Sequence, residues 1–228
     1  MKLKRISERV WILPHEEYRD RPALGYILGD RWSIAVDAGH SADHTGLFYR
    51  TLEDASLPLP ALTILTHWHW DHTFGMHAIH GLSLANERTN RHLMDFRARL
   101  EKEGTGFFLA MHESIRREYE SGKPVIVTPA DLLFRGEMQL DAGNCPIRIF
   151  QAEAPHTDDS TLIFLPEENL LILGDCTGGT FPDWFVDQSL ADRLVETIRQ
   201  INPATCLPGH WTSLDPEIII QDLKDGIG

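Results

Sequence analysis

The nonapeptide Leu65–Thr73, LTHWHWDHT, constrains this chain more than any other stretch. It holds three histidines, two tryptophans and an aspartate, and it follows the apolar run LTILT at 62–66. That run reads as a buried strand. His67 and His69 are two residues apart, so on extended backbone they face the same way. Asp71 and His72 are adjacent and can meet one point only if the chain turns. A strand that ends, two histidines on one side, and an Asp–His pair beyond a turn can serve two neighbouring cations. Imidazole nitrogen with carboxylate oxygen suits zinc, and also iron or manganese.

Two cations need more ligands than four residues supply, so further His or Asp side chains are expected at other strand ends. Three positions fit. His156 lies in EAPHTDDS after the strand-like 147–153, Asp175 ends LLILGD, and His210 lies in LPGHW after the strand-like 204–207.

The remaining pattern alternates strands and helices. RVWIL (9–13), LGYILG (24–29) and WSIAVDAG (32–39) read as strands, with GDR at 29–31 as a hairpin turn. FYRTLEDA (48–55) reads as helical. From 87 to 121 two helices are expected around the GTG break, the second carrying the stripe Phe107, Met111, Ile115 and Tyr119. PVIVT (124–128), TLIFL (161–165) and LLILGD (170–175) read as strands, and 188–201 as a helix. DPEIIIQDLKDGI (215–227) reads as a closing helix with Asp215 as N-cap and Pro216 in the first turn. Strands and helices in this order favour a layered α/β architecture. One domain, 1–228, made of two similar halves with a helical insert at about 87–121, is expected.

Formal net charge is −13, which disfavours a nucleic-acid partner, because phosphate binding needs a basic face. No apolar run has the length of a signal peptide core or a membrane span, so no membrane partner is expected. Three well-separated cysteines, Cys145, Cys176 and Cys206, suggest reduced thiols and a cytoplasmic protein.

Taken together, His-x-His-x-Asp-His at 67–72, the PHT histidine, the GD aspartate, PGH at 208–210 and VDAG at 36–39 resemble the metallo-β-lactamase superfamily of hydrolases. The resemblance covers nearly the whole chain. It implies a four-layer αββα sandwich with metals at one edge. It implies that His67, His69 and His156 bind a first metal, that Asp71, His72 and His210 bind a second, and that Asp175 bridges them. Two divalent ions, zinc first, with a bridging water or hydroxide would then hydrolyse an ester, thioester, lactone or similar bond in a small molecule. Asp71 would orient the nucleophile and shuttle its proton.

Asp175 stands where lactamases with a cysteine ligand carry that cysteine, which favours the glyoxalase II and lactonase branch. The alternative on the same scaffold is a mononuclear iron enzyme of persulfide dioxygenase type. Asp37 is expected to hold a ligand loop by hydrogen bonds, and Cys176 to be a buried structural thiol. Surface positions are expected for His40 and His44, and His77 and His80 are expected on a helix without a ligand role. Trp68 and Trp70 are expected to anchor packing. Phe181 and Trp184 are pocket candidates. The 87–121 helices, with Phe107, Phe108, Met111 and His112, read either as a lid over the cleft or as a packed flank or homodimer surface.

Overall fold

The computed structural model describes residues 1–211 and 215–226. Two mixed sheets lie face to face with helices on both outer sides, the four-layer αββα sandwich expected from the sequence. The first sheet contains β1 (Lys4–Arg5), β2 (Val10–Leu13), β3 (Leu24–Leu28), β4 (Ser33–Val36), β5 (Leu62–Ile64), β6 (Leu82–Asn86) and β7 (Leu132–Phe134), paired in chain order. Strands β1 to β4 form an antiparallel meander, and β4 to β7 run parallel. The second sheet has the order β12 (Thr205–Pro208), β11 (Leu170–Gly174), β10 (Thr161–Leu165), β9 (Pro146–Gln151), β8 (Glu137–Asp141), with only the β11–β12 pair parallel.

Alternation along the strands builds the layers. Ile34, Val36 and Ile64 from one sheet and Ile149, Ile163 and Ile172 from the other share the central core. Their neighbours Leu162, Leu171 and Leu173 point outward, against α6 (Gln188–Ile201) and α7 (Pro216–Asp225). On the other side Tyr26 and Ala35 pack against α1 (Ala42–Asp54) through Phe48 and Leu52. Such period-two burial on both faces specifies register, since a one-residue slip would exchange the two cores.

Parallel neighbours need crossovers. Helix α1 links β4 to β5. Helix α2 (Trp70–Thr73) and a 3-10 turn (Phe74–Ala78) link β5 to β6. Helices α3 (Glu87–Glu103), α4 (Gly106–Leu109) and α5 (Glu113–Glu118) link β6 to β7. As a result β4, β5, β11 and β12 all deliver their C-terminal ends to one edge, where open α/β sheets place ligands.

Several sequence expectations are corrected. The stripe from Phe107 to Tyr119 is not one helix. It breaks at residues 110–112, where His112 takes an extended conformation and accepts a hydrogen bond from Ser114 N, capping α5. PVIVT at 124–128 is not a strand: Val125 and Val127 pack into the α3–α5 cluster with no ladder partner. Strands β7 and β8 had no clear signal, because the exposed edge sequence EMQLD of β8 alternates only weakly. His77 lies on the 3-10 turn and His80 beyond it, not on a regular helix. Ile227, the end of the predicted closing helix, lies outside the described residues. Among the described residues no helix is long and apolar enough to cross a membrane.

Candidate metal centre

Thr66 fixes the start of the histidine loop. Its backbone N–H and its hydroxyl donate to the Asp37 carboxylate at 2.8–3.0 Å, and its carbonyl accepts from Thr161 N at 2.8 Å. One residue thereby ties the ends of β4 and β5 to the start of β10 in the other sheet. His67 and His69 follow on extended chain, and α2 then begins at Trp70. The helical turn swings Asp71 and His72 toward the same cleft. Thr73 secures it by donating to the carbonyls of Trp68 and His69 at 2.9 and 2.8 Å.

The seven expected residues meet in two groups. Ligand atoms of His67, His69 and His156 lie within 4.8 Å of one another, as do those of Asp71, His72, Asp175 and His210. The groups adjoin: the His67 and His72 rings are 4.2 Å apart, and His156 Nε2 is 3.9 Å from Asp175 Oδ2. Four of the histidines have their outer nitrogen committed. Nδ1–H of His156 donates to Gly179 O at 2.9 Å, and that of His72 to Asp37 at 2.7 Å. His210 Nδ1 faces Asp20 at 3.1 Å, and His67 Nδ1 faces the Thr66 hydroxyl, itself a donor to Asp37, at 3.1 Å. Each Nε2 is thereby turned inward, that of His156 to 2.9 Å from His69 Nδ1 and those of His72 and His210 to 3.2 and 3.1 Å from the Asp175 and Asp71 carboxylates, the arrangement in which an outer acceptor sets the orientation of a metal-ligating histidine. His67 Nε2 and Asp175 Oδ1 are buried with no partner at all. A buried polar atom without a partner calls for an explanation, and within a His and Asp cluster of this donor chemistry a cation supplies one, so the residues present fit it.

The two groups differ electrostatically. Burial pushes His67 well below the ordinary imidazole value, with His72, His69 and His156 adding to the effect. Burial and then His156 take His69 down to about 3, and burial also lowers His156. This trio is neutral, with His156 Nε2 and His69 Nδ1 facing each other at 2.9 Å and His67 Nε2 unpartnered. For His72 burial opposes charge, but the carboxylates of Asp175, Asp37 and Asp71 outweigh it and raise the imidazole well above its usual range. His210 is raised in the same sense, against burial, by Asp175 together with Asp20 and Asp71. In turn, Asp71 and Asp175 are held well below the carboxylate range despite burial, Asp71 chiefly by His72 and Asp175 chiefly by His210. Without a cation the second group is a network of ion pairs. With one, the cation takes over the role of two protons.

A cleft of about 340 Å³ opens above both groups. Phe181, Trp184 and His112 line it, as does Trp70, which also packs 5.3 Å from Phe181. Elsewhere in the 87–121 segment, Phe108 on α4 is fully buried in the core, and Phe107 and, just beyond α4, Met111 pack against it. Trp68 packs between Phe96 and His92. Asp37 holds the loop as expected. Cys176 is buried beside α6, its thiol pushed up by burial.

His40 and His44 are corrected: both are buried, 0% and 1% exposed. Gly39 (φ 82°) turns the chain so tightly that His44 Nδ1 would lie 2.7 Å from a Cβ placed there, and Tyr119 OH from the end of α5 donates to His40 O at 2.9 Å. The sequence reading missed His15 and Asp20, which line the cleft beside His210. They come from the loop between β2 and β3, held in place by a 2.6 Å bond from Ala23 N to Gly209 O. No spacing in HEEYRDRP marks them.

The sequence profile of the Metallo-beta-lactamase superfamily matches residues 26–210. This chain belongs to that superfamily. Among curated protein sequences, none matches. Solved structures with the same fold include a metallo-beta-lactamase from Pontibacter korlensis, 16% identical with a TM-score of 0.71 over 98% of this chain and 99% of that one. A metallo-beta-lactamase from Hirschia baltica is 17% identical, with a TM-score of 0.68 over 99% of this chain and 97% of that one. A sec-alkyl sulfatase reaches a TM-score of 0.74 at 13% identity over 98% of this chain, which spans 41% of the sulfatase. At these identities the likeness is one of fold.

Proposed function

We propose that the protein is a binuclear metal-dependent hydrolase of an ester, thioester, lactone or similar bond in a small molecule. One observation carries this: two adjoining groups of His and Asp with their nitrogens and carboxylates turned inward, two of those buried atoms without any partner. His67, His69 and His156 would hold one divalent ion, and Asp71, His72 and His210 the other, with Asp175 between them. Zinc suits the donor set best, and iron or manganese would also be accepted. When bound, a pair of such ions supplies a water acidic enough to attack at neutral pH and polarises the oxygen of the scissile group.

The chain's own residues do the rest. Asp71 sits on the cleft floor with its Oδ2 3.1 Å from His210 Nε2, placed to orient the attacking water and take its proton. Asp37 and Asp20 hold His72 and His210 in one tautomer. The aromatic walls shield the reacting bond from bulk water. A second group this fully equipped favours two ions over the single iron of a dioxygenase.

Elemental analysis of protein loaded with zinc, manganese or iron, followed by a panel of thioesters, lactones, β-lactams and phosphodiesters, tests the proposal. Two ions per chain are expected, with hydrolysis that a chelator abolishes and Asp71→Ala removes without unfolding the protein. One iron per chain with oxygen consumption on a persulfide would overturn it.

A further inference from the structure

The cleft has a chemical bias that the ligand groups do not explain. Among the described residues lining it there is no Lys or Arg. Its charged lining side chains outside histidine are the carboxylates of Asp20, Asp71 and Asp175. With Asp37 behind His72, four carboxylates stand in or directly behind the site, matching the four positive charges that two divalent ions would bring. No surplus positive charge remains to hold an anionic group of a substrate, and an unpaired anion in such a cleft would lose its hydration without compensation.

The walls point the other way. Trp70 and Phe181 form an edge-to-face pair at 5.3 Å, and Phe181 and Trp184 another at 5.6 Å. Trp184 also stacks on the ligand candidate His156, with planes 16° apart and centroids 6.3 Å apart. Trp184, beside His156, and Trp211, beside His210 with ring centroids 6.4 Å apart, both line the cleft and remain 55% and 52% exposed. Exposed tryptophans beside a cleft are costly to leave in water and mark a surface built to be covered. They also offer large contact area at little conformational cost.

Resting on the hydrolase reading, we propose that the substrate is uncharged around its scissile bond and carries a bulky apolar or aryl group. That group seats between Trp184, Phe181 and Trp211, and substrates bearing a free carboxylate or phosphate are discriminated against.

Two readouts test this on the metal-loaded protein. The first is quenching of intrinsic tryptophan fluorescence by an uncleavable neutral aryl ketone and by its para-carboxylated counterpart. The second is kcat/KM for a matched pair of aryl thioesters with and without a carboxylate. The neutral member of each pair is expected to be favoured about tenfold or more. Trp184→Ala, at an exposed position, is expected to weaken ketone binding several-fold and raise KM more than it lowers kcat, and Trp211→Ala to do so in the same direction. Equal or tighter binding of the carboxylated ketone overturns the inference, as does a Trp184→Ala and Trp211→Ala pair that bind the neutral ketone like the parent. The two proposals fail separately. Selective ketone binding without turnover of any ester leaves the cleft assignment standing and removes the hydrolase. Hydrolysis that ignores charge does the reverse.

Discussion

Asp37 accepts the Nδ1 proton of His72 at 2.7 Å from a left-handed backbone conformation, φ 64°. Asp20 stands in the same relation to His210, at 3.1 Å and φ 52°. Left-handed residues other than glycine carry a conformational cost and persist where the surroundings demand them. Here both place a carboxylate behind a histidine of the second ligand group. The group is therefore built from two shells, and its outer shell comes from separate loops.

Replacing Asp37 by Asn tests this outer support with little disturbance of the backbone, because Asn tolerates the left-handed conformation. The charge is lost, and the amide NH2 must face either His72 Nδ1–H or the Thr66 donors that the carboxylate accepted from. Affinity for the second ion is expected to fall by about 10–100-fold, and that for the first, whose His67 leans on Thr66, by less. Competition titration against a chromogenic chelator measures both constants. Unchanged affinity for the second ion would refute the role of Asp37 behind His72.

Gly209 gives a sharper steric test. A Cβ at this position would lie 2.1 Å from Asp175 Oδ1 and 3.0 Å from His72 Cε1. The glycine of the PGH segment is thus required by the close approach of the Asp175 carboxylate. Gly209→Ala is expected to displace Asp175, leaving the protein folded with a single bound ion per chain and no hydrolysis. Metal content by elemental analysis, alongside an unchanged circular dichroism spectrum, checks it.

That these seven residues come together was legible in the sequence because each follows, at or soon after its end, a clear apolar strand. Strand ends are readable from burial patterns, and ligand types from chemistry. Asp20 was not legible, since its role depends on a loop between β2 and β3 docking on Gly209, a contact across the chain with no local signal. His40 and His44 misled for a related reason. Their stretch looks polar, but His40 is covered by Tyr119 and His44 lies in the first turn of α1, whose cap Ser41 is held by Glu118 of α5, which only tertiary packing could reveal. Strands β7 and β8 escaped because edge strands need no strong alternation.

The crossover helices are fastened to the site by a buried ion pair. Arg21 donates twice to Glu118, at 2.7 and 2.8 Å, and Ser41, the N-cap of α1, also donates to Glu118. Burial works against the Glu118 charge, but Arg21 holds the carboxyl below its usual range. Removing one partner strands the other in the interior. Glu118→Gln is expected to cost about 3–5 kcal/mol, a melting temperature lower by about 10 °C for a chain of this size. Thermal unfolding measures it. A double replacement, Arg21→Met with Glu118→Leu, should recover much of the loss. A small effect for the single variant would mean that α5 is a loosely held flap, not a fixed wall.

Acid should unfold the metal-free protein early. His15, His40, His44, His67, His69 and His156 are all lowered chiefly by burial, so the folded state binds fewer protons than the unfolded chain below the free imidazole pKa of about 6.5. Stability contributed by keeping them neutral is full above that value. It is lost as pH falls from about 6.5 toward the folded values, as low as about 3 for His69. His72 and His210 act oppositely: raised in the folded state, they stabilise below about 6.5 and lose that contribution only as pH climbs through their folded values. Below about 6.5 the contribution of these two is constant, so the six lowered groups alone set the sign there. The melting temperature of chelator-treated protein is expected to fall steadily between pH 6.5 and pH 4.5, where ordinary carboxylates remain largely ionised. Zinc should delay the fall without abolishing it, because protons and metal compete for the same inward nitrogens of the trio, while His15, His40 and His44 titrate regardless. A melting temperature flat across this range in the metal-free protein would mean that the buried imidazoles accept protons in the folded state.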